Sequence, residues 1–357
     1  MIIGRRALLA GTAAAAAAAP SLRRLAAARG IRFGSEILAP EITGDAAYAA
    51  LVARQCAMVV PGLEAKWDHV EPADGRFDFT GLDRIAAYAS GNALALRLHT
   101  LVWGLAMPAW LGPALQAGRG EAVLRRHIAA VVGRYRGRVD SWDVVNEVAD
   151  PRWPAGPEGL TLTPWRRALG PDYVALAFHL TAAADPAARL LVNDDDLEYA
   201  TPEAEAKRRR YLRLLEGWVA AGVPIGGFGL QAHLKPDRPI AAAAYRSWLA
   251  ALAGMGLALF VTELDVQDRS LPADRAVRDR IVADTCRRYL DIALDEPAVR
   301  AVLTWGLTGR YSYLNTDARV RRADGLRARG LPYDAALRRT PMWCALAQAF
   351  RDAPARS

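Results

Sequence analysis

Short apolar runs alternate with longer amphipathic or alanine-rich stretches along most of this chain, and that alternation limits what it can fold into. The runs fall at 31–37, 57–60, 93–99, 139–146, 190–193, 227–231, 258–263 and 302–305. Helical spacing fits 82–89, 121–135, 172–184, 203–221, 241–253, 274–294 and 342–350. Eight strand candidates with helical connectors predict an α/β fold, a (β/α)8 TIM barrel, with an open doubly wound sheet as the alternative. The chain has 357 residues, more than the roughly 250 of a minimal barrel, so long loops are expected after the strands.

Two of these runs end in glutamate, Glu147 after 139–146 and Glu263 at the end of 258–263. A carboxylate at the C-terminal end of a parallel strand sits at the barrel mouth, where such folds do their chemistry. A pair on two strands is what glycoside hydrolysis requires, one group to donate a proton and one to attack or act as base. Other runs also end in polar or aromatic residues: Lys66 and Trp67 after the second, His99 and Trp103 after the third, Asn146 before Glu147, and Asn193-Asp194 after the fifth. Gln231 and His233 follow the sixth, Asp265 the seventh, and Trp305 ends the eighth. Such a set makes a carbohydrate cleft, with rings stacking on sugar faces and polar groups binding hydroxyls.

The rest of the composition excludes more than it assigns. The net charge of +8 is almost wholly arginine, and Lys66, Lys207 and Lys235 are the only lysines. No aromatic-studded basic stripe points to nucleic acid, and the run Lys207–Arg210 is expected on a solvated helix face. Cys56, Cys286 and Cys344 lack metal-ligand spacing; one bridge is conceivable, and free buried thiols are the expectation. His99, His233 and Glu263 could be imagined around a metal, but no close ligand pair supports it, so neither metal nor cofactor is expected. At the N-terminus, Arg5-Arg6-Ala7-Leu8-Leu9 followed by the weakly apolar stretch 10–19 has the look of a twin-arginine export signal. Residues 1–28 are assigned to it, with cleavage after Ala19 or Ala28, and 29–357 to a single catalytic domain. The expected mature protein is an exported monomer, periplasmic or extracellular and free of the membrane.

Several blocks, in order, carry a resemblance: Glu64-Ala65-Lys66-Trp67, Glu71-Pro72, Leu96-Arg97-Leu98-His99-Thr100-Leu101-Val102-Trp103, Pro108-Ala109-Trp110-Leu111, Trp142-Asp143-Val144-Val145-Asn146-Glu147, Gly229-Leu230-Gln231-Ala232-His233-Leu234, Thr262-Glu263-Leu264-Asp265 and Thr304-Trp305-Gly306. From about Phe33 to Phe350 the chain resembles glycoside hydrolase family ten, the retaining endo-β-1,4-xylanases. The resemblance implies Glu147 as acid/base, Glu263 as nucleophile, and Asn146 as donor to the sugar 2-hydroxyl. It also implies a chain Asp265–His233–Glu263, sugar contacts from Lys66, His99 and Gln231, and aromatic walls from Trp103 and Trp305. The substrate it implies is xylan or xylo-oligosaccharide.

The chain departs from the family pattern at the outer subsites. Gly62-Leu63 stand where a Glu-Asn pair grips the next sugar outward, and Gly104 where a histidine follows the tryptophan. Asp195-Asp196 replace Tyr-Asn after the fifth strand; after the eighth, Gly309 replaces Asp and Tyr313 the second Trp, leaving Tyr313 as a sugar contact. A same-fold hydrolase of another β-1,4-glycan and a non-catalytic glycan-binding barrel therefore stay open. His69, His127 and His179 are expected to do no chemistry and Trp142 to be core. Asp143, opposite Trp142 on its strand, faces either the helix layer or a salt bridge.

Overall fold

The computed structural model describes residues 20–150 and 153–356. Eight parallel strands form the barrel: β1 (Arg32–Ile37), β2 (Met58–Pro61), β3 (Ala95–Val102), β4 (Ser141–Asn146), β5 (Arg189–Asp194), β6 (Gly227–Leu230), β7 (Ala258–Val266) and β8 (Val299–Thr304). Each pairs with its neighbour in sequence, and β1 pairs with β8 through Phe33 opposite Val302, which closes the ring. A two-residue strand, His233–Leu234, continues β6 past Ala232 and pairs with Asp265–Val266. The barrel is therefore the closed sheet the alternation predicts, not the open one.

Strand residues alternate between two hydrophobic compartments. Met58, Val60, Leu191, Phe260, Ala301 and Leu303 form a small plug inside the barrel. Phe33, Val59, Leu96, Leu98, Val144 and Val192 face outward and pack against the helices. On β3, Ala95 packs on the plug, Arg97 is the next inward residue, and His99 the next after that. Arg97 lies over the Phe260 ring at 5.4 Å and pairs with Asp143. Burying both charges is tolerable because each is matched, with Arg97 also donating to Ser141 Oγ at 3.1 Å. Asp143 thus takes the salt-bridge side of its two expected settings. Trp142 points outward into the core, its Nε1 donating to Asp185 at 3.2 Å.

The helices begin where local chemistry starts them. Thr201 accepts from Ala204 N at 3.2 Å and Pro202 opens the helix Pro202–Ala220; Asp274 accepts from Val277 N at 2.9 Å ahead of Arg275–Ala293. The basic run in the first of these departs from the expected solvated face. Arg209 is exposed, but Lys207 is only 3 % exposed and reaches Asp194 Oδ1 at 2.5 Å and Asp195 Oδ1 at 2.7 Å. Arg208 turns under the sheet end to donate to the carbonyls of Leu197 and Tyr199. Charge counting missed this because the partners lie at the end of β5 and just past it, not on the helix.

Of residues 1–28, assigned to the export signal, 1–19 lie outside the described residues. Leu22–Ala27 is a helix capped by Ser21, with Leu22 and Ala26 buried and Leu22 N donating to Gln55 Oε1 at 3.1 Å. Cys56 and Cys286 are buried free thiols, and Cys344 is free and exposed.

Candidate active site

The strand ends converge on one mouth. Glu147, directly after β4, has φ +54°, a left-handed conformation that a residue with a Cβ adopts rarely and at some cost. Consecutive residues on a strand would face opposite ways. Here the turn lets Asn146 and Glu147 share one neighbour: Gln231 Nε2 lies 3.3 Å from Asn146 Oδ1 and donates to Glu147 Oε1 at 3.2 Å. The other Glu147 oxygen accepts from Trp103 Nε1 at 3.0 Å. Trp103 is itself anchored, since its carbonyl accepts from Trp165 Nε1 at 3.1 Å.

Glu263 lies within β7 and is 4 % exposed. Its Oε1 accepts from Asn193 Nδ2 at 2.8 Å, and Asn193 is oriented by the Thr262 hydroxyl, which donates to its Oδ1 at 2.7 Å. Position 229 has no room for a side chain, because a Cβ there would meet Asn193 Oδ1 at 2.1 Å; Gly229 is what lets Asn193 lean toward Glu263. Asn193 Nδ2 is also 2.9 Å from Asn146 Oδ1, so a chain of three amides joins the two carboxylates.

The second Glu263 oxygen faces His233 Nε2 at 3.2 Å, and His233 Nδ1 donates to Asp265 Oδ2 at 2.8 Å. Burial works against charge on this imidazole, but Asp265 and Glu263 overcome it and raise its pKa well above the ordinary histidine range. Burial likewise pushes the Glu263 carboxyl up. The His99 imidazole, 3.8 Å from Oε1, the His233 hydrogen bond and charge, and Asn193 reverse that and hold Glu263 at about 2. His99 is set by Asp143, whose Oδ2 is 3.0 Å from its Nδ1.

Lys66, Trp103 and Trp305 line one side of this mouth. The Lys66 ammonium sits over the Trp103 ring at 5.3 Å and the Trp305 ring at 5.8 Å, and Trp305 stands edge-on to His99 at 5.5 Å. Tyr313 is placed differently from a plain stacking wall: its hydroxyl donates to Asp265 Oδ2 at 2.8 Å, joining the His233 chain. All eleven residues singled out in the sequence thus fall on this mouth. Asn193 and Thr262 were missed as a carboxylate support, although Asn193 ends the fifth run and Thr262 directly precedes Glu263; Gly229 is the sequence signal that could have shown the close approach. His127 is buried, paired with Glu71 at 2.9 Å and stacked on Trp67 at 3.6 Å, away from the carboxylates.

Comparison with known proteins agrees with this geometry. The sequence pattern of the family described as "Glycosyl hydrolase family 10" matches residues 21–349. The chain is 33% identical over 270 residues to endo-1,4-beta-xylanase B of Thermotoga neapolitana, covering 75% of this chain and 74% of that protein. It is 33% identical over 323 residues to endo-1,4-beta-xylanase 1 of Humicola insolens, covering 86% and 70%. Xylanase 10B from Thermotoga petrophila RKU-1, solved in complex with xylobiose, superposes with a TM-score of 0.80 at 28% identity, over 93% of this chain and 97% of that one. The chain belongs to glycosyl hydrolase family 10 and is an endo-1,4-β-xylanase-like glycoside hydrolase.

Proposed function

We propose that the protein cleaves β-1,4-xylosidic bonds of xylan or xylo-oligosaccharides by retaining double displacement, with Glu147 as acid/base and Glu263 as nucleophile. The observation that carries this is the asymmetry between the two carboxyls. Glu263 is buried yet kept ionised by His233, His99 and Asn193, as an attacking group must be. Glu147 takes one N–H from Trp103 and one from Gln231, which fix its direction at the same mouth.

In the first step Glu147 gives its proton to the glycosidic oxygen while Glu263 attacks the anomeric carbon. The bond to the leaving sugar breaks and a glycosyl ester forms on Glu263. In the second, Glu147 takes a proton from water, the water oxygen attacks the same carbon, and Glu263 leaves as carboxylate. Two inversions give net retention. Asn146 is assigned the 2-hydroxyl of the reacting sugar, where a hydrogen bond strengthens in the transition state. Lys66, His99, Trp103 and Trp305 are assigned that sugar's remaining hydroxyls and faces, Gln231 sits beside it, and Tyr313 closes it from the β8 loop. Reducing-sugar release from xylan tests the reading: the parent is expected to be active and Glu263→Ala lower by several orders of magnitude. An equally active variant would refute it.

We also propose export by the twin-arginine route. Arg5-Arg6 and the alanine-rich stretch 10–19 support the signal, and the buried Leu22 and Ala26 favour cleavage before Pro20 over cleavage after Ala28, which would strip a packed helix from the barrel. Export should stop in an Arg5→Lys, Arg6→Lys variant, and mature protein found outside the cytoplasm from that variant would contradict the route.

A further inference from the structure

Position 62 is the clearest departure from the family pattern, and the structure shows what takes its space. Glu36 lies near the end of β1, opposite Val60 in the register with β2. A Cβ built on Gly62 would stand 2.0 Å from Glu36 Oε1, so no side chain at 62 can coexist with this carboxyl where it is. The other oxygen is 3.7 Å from where a Cβ on Gly306 would be, and Gly306 directly follows Trp305. The carboxyl therefore lies between the loops after β2 and β8, the same two that supply Lys66 and Trp305. It is half-buried, and no hydrogen bond to it is made among the described residues.

Its neighbours do not account for it structurally. Glu64 is committed elsewhere, its Oε1 accepting from Ala39 N at 2.5 Å at the start of the helix Ala39–Gly44. The charged groups acting on Glu36 are Glu41, Glu64 and Glu263, which oppose its ionisation, and Lys66, which favours it. A half-buried carboxyl with no partner is costly unless something meets it.

We propose that Glu36 is a specificity-determining residue, hydrogen-bonding a hydroxyl of the sugar that lies one position beyond the sugar held by Lys66, His99 and Trp305. The carboxyl reaches that place from β1, and Gly62 makes the room. Burial, then Glu41, raise the Glu36 pKa well above the usual carboxylate range, with Lys66 pulling the other way. A neutral carboxyl both donates and accepts, as a sugar hydroxyl does.

The inference rests on the xylanase reading, and its test separates the two. An aryl β-xyloside fills one sugar position before the scissile bond and an aryl β-xylobioside fills two. The ratio of their kcat/KM values cancels the fraction of folded enzyme. In Glu36→Ala that ratio is expected to fall about tenfold, the effect of one hydrogen bond lost in a desolvated site. Glu36→Gln, which keeps donor, acceptor and shape, is expected to stay within about twofold of the parent. A Glu36→Ala ratio within twofold of the parent, or a Glu36→Gln ratio as low as that of Glu36→Ala, overturns the inference. A parent that cleaves neither glycoside removes the xylanase reading and the inference with it; a parent that cleaves both while the ratio holds removes only the inference.

Discussion

His233 Nε2 faces Glu263 Oε2 at 3.2 Å while Nδ1 of the same ring donates to Asp265 at 2.8 Å. The ring is held charged from one side and spends that charge on the other. Glu263, buried as it is, would otherwise bind a proton and lose its nucleophilicity.

Replacing His233 with Asn should therefore move the acid limb of kcat/KM toward higher pH by about one unit or more. The same contact affects stability with a definite sign. A carboxyl lowered to about 2 stabilises the fold fully above its unfolded value of about 4.3, and that stability is lost as pH falls toward 2. Urea midpoints measured between about pH 5 and pH 2 should fall more steeply in the parent than in His233→Asn. An acid limb at the parent's position would show that His233 does not govern Glu263.

Tyr313→Phe removes the hydroxyl that donates to Asp265 Oδ2 at 2.8 Å. The other oxygen, Oδ1, is already buried with no hydrogen bond among the described residues, so Asp265 is left with its contact to His233 Nδ1. A loss of about 1–3 kcal/mol in urea unfolding is expected. Unchanged stability would place Tyr313 with the sugar alone.

Gln231→Ala deletes the amide that donates to Glu147 Oε1 at 3.2 Å and neighbours Asn146. Loss of one oriented donor, worth about 1.4 kcal/mol, should lower kcat on xylo-oligosaccharides about tenfold. A rise in KM with kcat intact would instead assign Gln231 to uniform sugar binding.

Lys207→Met should destabilise the fold by about 3–5 kcal/mol, because it removes the ammonium that pairs with Asp194, which is fully buried beside Asp195. A urea midpoint close to that of the parent would mean the pair contributes little.

How far this could be read from the sequence follows from range. The strands and the seven predicted helices lie within about three residues of their observed bounds, because apolar periodicity is local. The short helices Ala39–Gly44, Ala46–Gln55 and Pro164–Leu169 escaped, each bounded or opened by Pro, Gly or Asp signals that read equally well as turns. The two glutamates and their flanking blocks were legible because strand ends and motif order gather them. Glu36 was not: what points to it is the space at Gly62, just past the end of the neighbouring strand β2, which a linear reading cannot see. The setting of Lys207 was not legible for the same reason, its partners Asp194 and Asp195 being placed by the end of β5.

The most direct measurement of the central claim is covalent trapping with a 2-deoxy-2-fluoro β-xylobioside bearing a good leaving group, followed by peptide mass spectrometry. Glu263 should carry a fluoroxylobiosyl ester, formed with time-dependent loss of activity. A label on another residue, or continued turnover of natural substrate with no ester formed, would contradict the account.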